Sequence, residues 1–145
     1  MKVKQLSIFL ENKAGRLGNV TNVLSERGIN ILALSLADTS EFGILRLIVD
    51  HVEKAAEALR EQSFVCVVNE VTAVEVDNKP GGLARILNLL MDKGINVEYM
   101  YGFPEPHTGK AALIFRFDEP EKAVDHLTEA GINVFAQVDL AGTAE

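Results

Sequence analysis

Glu11-Asn12-Lys13-Ala14-Gly15-Arg16-Leu17 returns 66 residues later as Asp77-Asn78-Lys79-Pro80-Gly81-Gly82-Leu83. The same offset carries Glu26-Arg27-Gly28-Ile29-Asn30-Ile31 onto Asp92-Lys93-Gly94-Ile95-Asn96-Val97. Nine of 21 positions in 11–31 are identical to 77–97, where average composition gives roughly one or two. Farther along the offset becomes 68, pairing Asp50 with Asp118 and Glu53-Lys54-Ala55 with Glu121-Lys122-Ala123. The two extra residues fall near Phe103-Pro104-Glu105-Pro106-His107-Thr108-Gly109, a turn-rich stretch where insertion costs little. The chain is thus expected to be two copies of one domain-sized unit, 1–70 and 71–145.

Each copy has the same order of elements. Residues 3–10 alternate as a strand with Leu6, Ile8 and Leu10 on one face. Leu17, Val20 and Leu24, widened by Val23, recur at helical spacing, and Gly28 stands where a helix commonly ends. Strands follow at 30–37 and 43–49. Asp50 and Glu53 have the spacing of an N-cap and its capping glutamate, opening a helix to about Glu61. Asp118 and Glu121 repeat that device, with Pro120 in the first turn, where its missing N–H costs nothing. A last strand covers 64–69, and residues 71–138 repeat the series. The order β-α-β-β-α-β predicts an α+β, ferredoxin-like split βαβ fold, twice over, with both helices of each copy on one face of an antiparallel sheet.

Only Asn69-Glu70 joins the copies, too short a link for two freely swinging domains, so their sheets are expected to adjoin. Residues 31–37 and 44–49 are apolar in both parities, although Arg46 and Asp50 interrupt the second face. Helices cover one face; a second copy of the chain is the expected cover for the other, making a homodimer.

The totals exclude several functions. Over 145 residues the formal charge is −7 and the pI is near 5.0, which opposes a phosphate backbone and disfavours nucleic-acid binding. No apolar run approaches the ~20 residues that cross a bilayer, and the first residues read as a strand rather than a secretory signal. The one cysteine, Cys66, lies within Phe64-Val65-Cys66-Val67-Val68 and reads as a small buried apolar residue. A cytoplasmic location is expected.

The repeated loop has a specific chemistry. Gly15 and Gly81 permit backbone angles closed to other residues. The helix behind each presents unpaired N–H groups and a partial positive charge, which suits a small carboxylate. Asn12 and Asn78 bring an amide to the same loop, and Asn30 and Asn96 open the next strand. An amide accepts from an ammonium and donates to a carboxylate, so these parts suit the zwitterionic end of a free amino acid. A plainer reading stands beside it: the glycines simply turn the chain, Asn12 and Asn78 cap the helix, and Asn30 and Asn96 close a turn.

This element order, with an acidic-Asn-x-(Pro)-Gly-x-Leu loop and a Gly-Ile-Asn-(Ile/Val) turn, resembles the ACT-domain family of small-molecule-binding regulatory modules. The likeness spans nearly the whole chain, twice, so the protein looks like a tandem ACT protein, expected to lack an attached catalytic domain. The resemblance implies amino-acid binding where two modules meet, at the loop after the first strand and the start of the second. It carries over Asn12, Ala14, Gly15 and Asn30 from the first copy and Asn78, Pro80, Gly81 and Asn96 from the second. Ala14 departs from the usual proline, while Pro80-Gly81 matches. Leu10 and Val76 stand where some amino-acid-sensing relatives have a polar residue. An aromatic or cationic ligand would find Glu98, Tyr99, Met100 and Tyr101 after Asn96, although the tyrosines equally read as sheet or interface residues.

Other constellations are absent from the sequence. His51, His107 and His126 are dispersed, without a second ligand at metal spacing. The glycine pairs lack a nucleotide-binding context, so no cofactor is expected. No Ser-His-acid set appears. The strand 44–49 lacks the stacking aromatics of RNA-binding relatives of this fold, and Phe115 and Phe117 read as apolar sheet residues. The expected function is an amino-acid-binding regulatory protein without chemistry of its own, coupled to module arrangement or to a metabolic enzyme partner. The alternative is a ligand-free oligomerisation module acting through protein contacts.

Overall fold

A computed structural model describes residues 2–38, 41–105 and 109–136. The chain divides into two compact units, one of Lys4–Asn69 and one that begins at Glu70 and takes in Lys2 and Val3. In the first unit the elements are β1 (Val3–Glu11), α1 (Arg16–Glu26), β2 (Ile31–Asp38), β3 (Phe42–Val49), α2 (Val52–Glu61) and β4 (Val65–Asp77). In the second they are the later part of β4, α3 (Gly82–Asp92), β5 (Val97–Glu105), β6 (Lys110–Phe117), α4 (Pro120–Glu129) and β7 (Val134–Phe135). The strand order is β2-β3-β1-β4 in the first unit and β7-β4-β6-β5 in the second. Both are the βαββαβ arrangement, and the α+β ferredoxin-like expectation holds.

The sheet registers explain the sequence alternation. Leu6 faces Leu47 and Ile8 faces Leu45; with Val20, Leu24, Ala55 and Leu59 from the helices they form one core. Val74 faces Leu113 and Thr72 faces Phe115, and these strands meet Ile86, Leu90, Ala123 and Leu127 in the other. Phe115 and Phe117 are buried and stacked 5.0 Å apart. Cys66 is buried, its thiol directed at the Ala56 carbonyl 3.8 Å away, and burial pushes its pKa up.

On the face of the first sheet turned from its own helices, Ser7 faces Arg46, which faces Ser35. The buried Gln5 amide donates to Ser7 Oγ at 3.2 Å, and Ser7 Oγ–H donates to Asn69 Oδ1 at 2.7 Å. Ala33 and Ile48 on this face are buried, whereas Phe9, Phe42, Val65 and Val67 are exposed.

Every helix closes in the same way. Gly28, Gly94 and Gly131 have φ of 68°, 69° and 77°, and the N–H after each returns to a carbonyl in the helix: Ile29 to Leu24, Ile95 to Leu90, Ile132 to Leu127. This is the Schellman geometry. In α2 the left-handed position is taken by Ser63, at φ 67°, which costs a side-chain-bearing residue about 1 kcal/mol.

Two local expectations are corrected. No strand ends at 69: β4 runs from Val65 to Asp77, because neither Asn69 nor Glu70 is a chain-breaking residue. Asp50 and Asp118 do not cap α2 and α4. Those caps are His51 and Glu119, without a side-chain cap bond. The carboxylates are drawn instead to the start of the second strand of each unit. Glu53 correspondingly pairs with Lys4 at 3.0 Å rather than folding back as a capping glutamate. Pro120 does open α4. The inserted stretch near 103–109 falls largely outside the described side chains, and His107 lies outside the described residues.

Candidate ligand-binding site

The two bends fold as the sequence requires. Gly15 (φ 88°) is the N-cap of α1 and Gly81 (φ 85°) that of α3, and neither helix has a side-chain cap. The capping role allowed for Asn12 and Asn78 is therefore not taken up, because the helices begin three residues farther on. The first-turn N–H groups are only partly used. Arg16 N–H donates to Lys13 O and Asn19 N–H to Gly15 O; Gly82 N–H donates to Lys79 O and Arg85 N–H to Gly81 O. Between them, the N–H groups of Leu17 and Gly18, and of Leu83 and Ala84, have no acceptor within their own helix.

Charge around the bends favours an anion. Glu11 pairs with Lys13 at 2.8 Å and Arg16 at 3.4 Å, and the Lys13 hydrogen bond holds its carboxyl below the usual range. Asp77 pairs with Lys110 and stands 3.9 Å from Lys79. The Lys110 ammonium holds Asp77 below the ordinary carboxylate range, and Asp77 in turn raises Lys110. At each bend two cations stand within 4 Å of the acid, Lys13 and Arg16 about Glu11 and Lys110 and Lys79 about Asp77, beside the partial positive charge of the helix start.

The copies are not equivalent. Gly82 is buried, and a Cβ there would lie 2.0 Å from the Asp77 carbonyl oxygen. Its first-copy counterpart is Arg16, whose guanidinium lies 5.5 Å from the Phe64 ring centroid. A groove of about 390 Å³ runs along α1 from Arg16, lined by Arg16, Asn19, Asn22, Val23, Glu26, Gln62 and Phe64. The second bend borders a cavity of about 120 Å³ lined by residues including Asp77, Gly82, Arg85, Lys110 and Asn133.

Asn12, Ala14 and Gly15 are exposed in one loop, and Asn78, Pro80 and Gly81 in the other. Asn30 and Asn96 lie elsewhere. Asn30 N–H donates to Asp50 Oδ1 at 3.0 Å while Asp50 N–H donates to Asn30 O at 3.1 Å. Asn96 and Asp118 repeat this reciprocal clasp at 2.9 and 3.1 Å. Glu11 faces Phe42 at the start of β3, but Ile31 faces Val49 at its end. The eight residues of β3 separate the bend from Asn30 by roughly 25 Å. Asp77 and Val97 stand likewise at opposite ends of β6. No small zwitterion reaches both groups within one unit.

Several other expectations find their place. Leu10 and Val76 are core residues. Met100 packs into the second core, whereas Tyr99 and Tyr101 face Arg116 and Ile114, on the face away from the helices. Glu98 pairs with Arg116 at 3.4 Å. The Asp50 and Asp118 clasps were missed in sequence; their signal was the recurrence of both acids beside recurring asparagines.

A family model described as an ACT domain pair matches residues 1–144. The chain belongs to this family. The ACT-pair chain is 40% identical to protein BT0572 from Bacteroides thetaiotaomicron, whose crystal structure superposes with a TM-score of 0.92 over 97% of this chain and 96% of that one. A crystal structure of the ligand-free regulatory subunit of aspartate kinase from Thermus thermophilus is similar at TM-score 0.63 and 19% identity, over 88% of this chain and 91% of that one; that likeness speaks for the fold alone. The acetolactate synthase small subunit of Buchnera aphidicola subsp. Baizongia pistaciae (strain Bp) is 33% identical over 78 residues, 52% of this chain and 49% of that protein. The isozyme 3 small subunit of Escherichia coli (strain K12) is 37% identical over 59 residues, 39% of this chain and 36% of that protein. The ACT-pair chain thus matches about half or less of these curated relatives.

Among the described residues no helix is long and apolar enough to cross a membrane, and no three His, Cys, Asp or Glu residues group as metal ligands.

Proposed function

We propose that this ACT pair is a sensor of free amino acids and has no catalysis of its own. The ligand's carboxylate sits on the unused N–H groups behind a glycine bend, Leu17 and Gly18 or Leu83 and Ala84. Asn12 or Asn78 supplies the amide beside it, with Ala14-Gly15 or Pro80-Gly81 shaping the bend. Asn30 or Asn96 of a different ACT module completes the site, since the same unit's asparagine is a strand length away. Binding across two modules favours one arrangement of them over another, a coupling typically worth about 1–3 kcal/mol. A cytoplasmic metabolic enzyme reads that arrangement, and the names of the relatives support amino-acid biosynthesis as the class of pathway. The observation that carries this reading is the recurrence, in both copies, of a left-handed glycine followed by first-turn donors in cationic surroundings.

A thermal-shift screen of the standard amino acids tests it. A ligand at ~100-fold excess over its Kd adds about 2.7 kcal/mol to stability. One or a few amino acids should raise the melting temperature, and the double variant Asn12→Ala, Asn78→Ala should lose that rise while keeping the unliganded midpoint. No rise with any amino acid at millimolar concentration refutes the proposal.

A further inference from the structure

The two copies differ on the helix side of their first strands. In the first copy Leu6 faces Leu47 and is fully buried. The matching residue of the second copy, opposite Phe115, is Thr72. It shares a side of β4 with Val74 and Val76, which belong to the second core, and only 2% of it is exposed. A polar group so deep is costly to leave unbonded, yet among the described residues the Thr72 hydroxyl has no hydrogen-bond partner. It opens instead onto a cavity of about 330 Å³, walled by Pro120, Glu121, Val124 and Asp125 of α4 and by Lys2. All of these residues belong to the second unit.

The lining changes character from floor to rim. Thr72 gives the floor a hydroxyl that can both donate and accept. Val124, packed in part against the second core, and the Pro120 ring make an apolar wall. The rim is ionic. The Lys2 ammonium stands 3.3 Å from Glu70 and 3.9 Å from Glu121, whereas Asp125, one turn beyond Glu121, has no ion pair among the described residues. Three carboxylates thus stand against one ammonium, which opposes an anion and leaves a place for a second cation. The rim already holds one primary ammonium on an alkyl stem, that of Lys2 itself.

We propose that this cavity binds a small primary amine that carries a hydroxyl. The ligand's ammonium pairs with Asp125, its stem lies along Val124 and Pro120, and its hydroxyl bonds Thr72 Oγ1. The volume stands near the lower end of the range for small-molecule pockets, about 300–1,000 Å³. The site lies within one unit and uses neither glycine bend, so it goes beyond the sensor reading and does not rest on it.

Calorimetric titration of the full chain with aminopropanol, aminobutanol and aminopentanol, each with its two polar groups at opposite ends, provides the test. At least one should bind saturably at millimolar concentration. Butylamine, which lacks the hydroxyl, should bind roughly tenfold more weakly, and butanediol, which lacks the ammonium, about two- to fivefold more weakly, because an exposed ion pair contributes little. Thr72→Val keeps the side-chain shape without the hydroxyl; it should weaken the amino alcohol about tenfold and leave butylamine unchanged. Thr72→Leu puts the first copy's side chain into the cavity and should abolish all binding; should that chain fail to fold, Thr72→Val decides. The double variant Asn12→Ala, Asn78→Ala should titrate with the amino alcohol as the native chain does, which separates this site from the amino-acid site. No saturable binding by any amino alcohol, a Thr72→Val chain that binds as tightly as the native one, or binding lost in the double asparagine variant overturns the proposal.

Discussion

Gly82→Ala is a one-carbon change that probes how the second bend is held. The added Cβ would meet the Asp77 carbonyl oxygen at 2.0 Å and the Asp77 carbonyl carbon at 3.0 Å. That oxygen already accepts the Lys79 N–H, so it belongs to the turn and cannot swing aside as a side-chain tip would. Restoring contact distance takes a movement of about 1 Å or more by the start of α3 or the end of β4. Overpacking of this kind costs about 1–3 kcal/mol. With an unfolding entropy of about 2.1 cal/mol/K per residue, a central loss of ~2 kcal/mol lowers the melting temperature by about 7 °C for one transition of the whole chain. Thermal and urea unfolding followed by circular dichroism measure it. Gly18→Ala is the internal control: it lies inside α1 with nothing within 4 Å of the new carbon, and should gain about 0.5–1 kcal/mol from the lower chain entropy of alanine. If Gly82→Ala is as stable as the native chain, the close approach of α3 to Asp77 is wrong.

Three further outcomes follow from the geometry. Ser63→Gly relieves the one left-handed non-glycine residue among those described and should raise stability by about 1 kcal/mol in urea unfolding. Asp118→Ala leaves the Asn96 N–H without its carboxylate acceptor and should cost about 1 kcal/mol, whereas Asp118→Asn keeps an acceptor oxygen and should cost less; Asp50 variants should behave alike. The Asp77–Lys110 pair gives a pH signature. Its carboxyl pKa is lowered on folding, so its stabilisation is complete above the ordinary carboxylate value and fades as pH falls through the lowered one. The Lys110 pKa is raised, so that contribution is complete below the ordinary lysine value and fades as pH rises through the raised one. The gap in urea midpoint between the native chain and Asp77→Asn should therefore be widest at intermediate pH and close in strong acid; a gap independent of pH contradicts the pair.

The duplicated architecture was legible because it rests on signals local to the chain: the repeat offset, the alternation in β1, and the glycines closing the helices. What escaped depended on partners distant in sequence. Asp50 has the spacing of a cap, and only the fold brings the Asn30 N–H within 3.0 Å of its carboxylate. The break expected at Asn69-Glu70 rested on the repeat boundary alone, and neither residue has a conformational reason to end a strand. Asn12 and Asn30 read as one site because they flank one helix. The parallel course of β1 and β2 on either side of β3 puts them at opposite ends of a sheet. The substitution of Gly82 for Arg16 was visible as a difference between copies, but its meaning required the position of the Asp77 carbonyl.

The sensor account turns on four amide hydrogens. Heteronuclear NMR of the labelled chain, titrated with whichever amino acid raises its melting temperature most, reads them individually. The account predicts saturable shifts at Leu17 and Gly18, at Leu83 and Ala84, or at both pairs, together with the neighbouring asparagine amides. Saturable shifts confined to other parts of the chain, with all four of these amides unmoved, would contradict it.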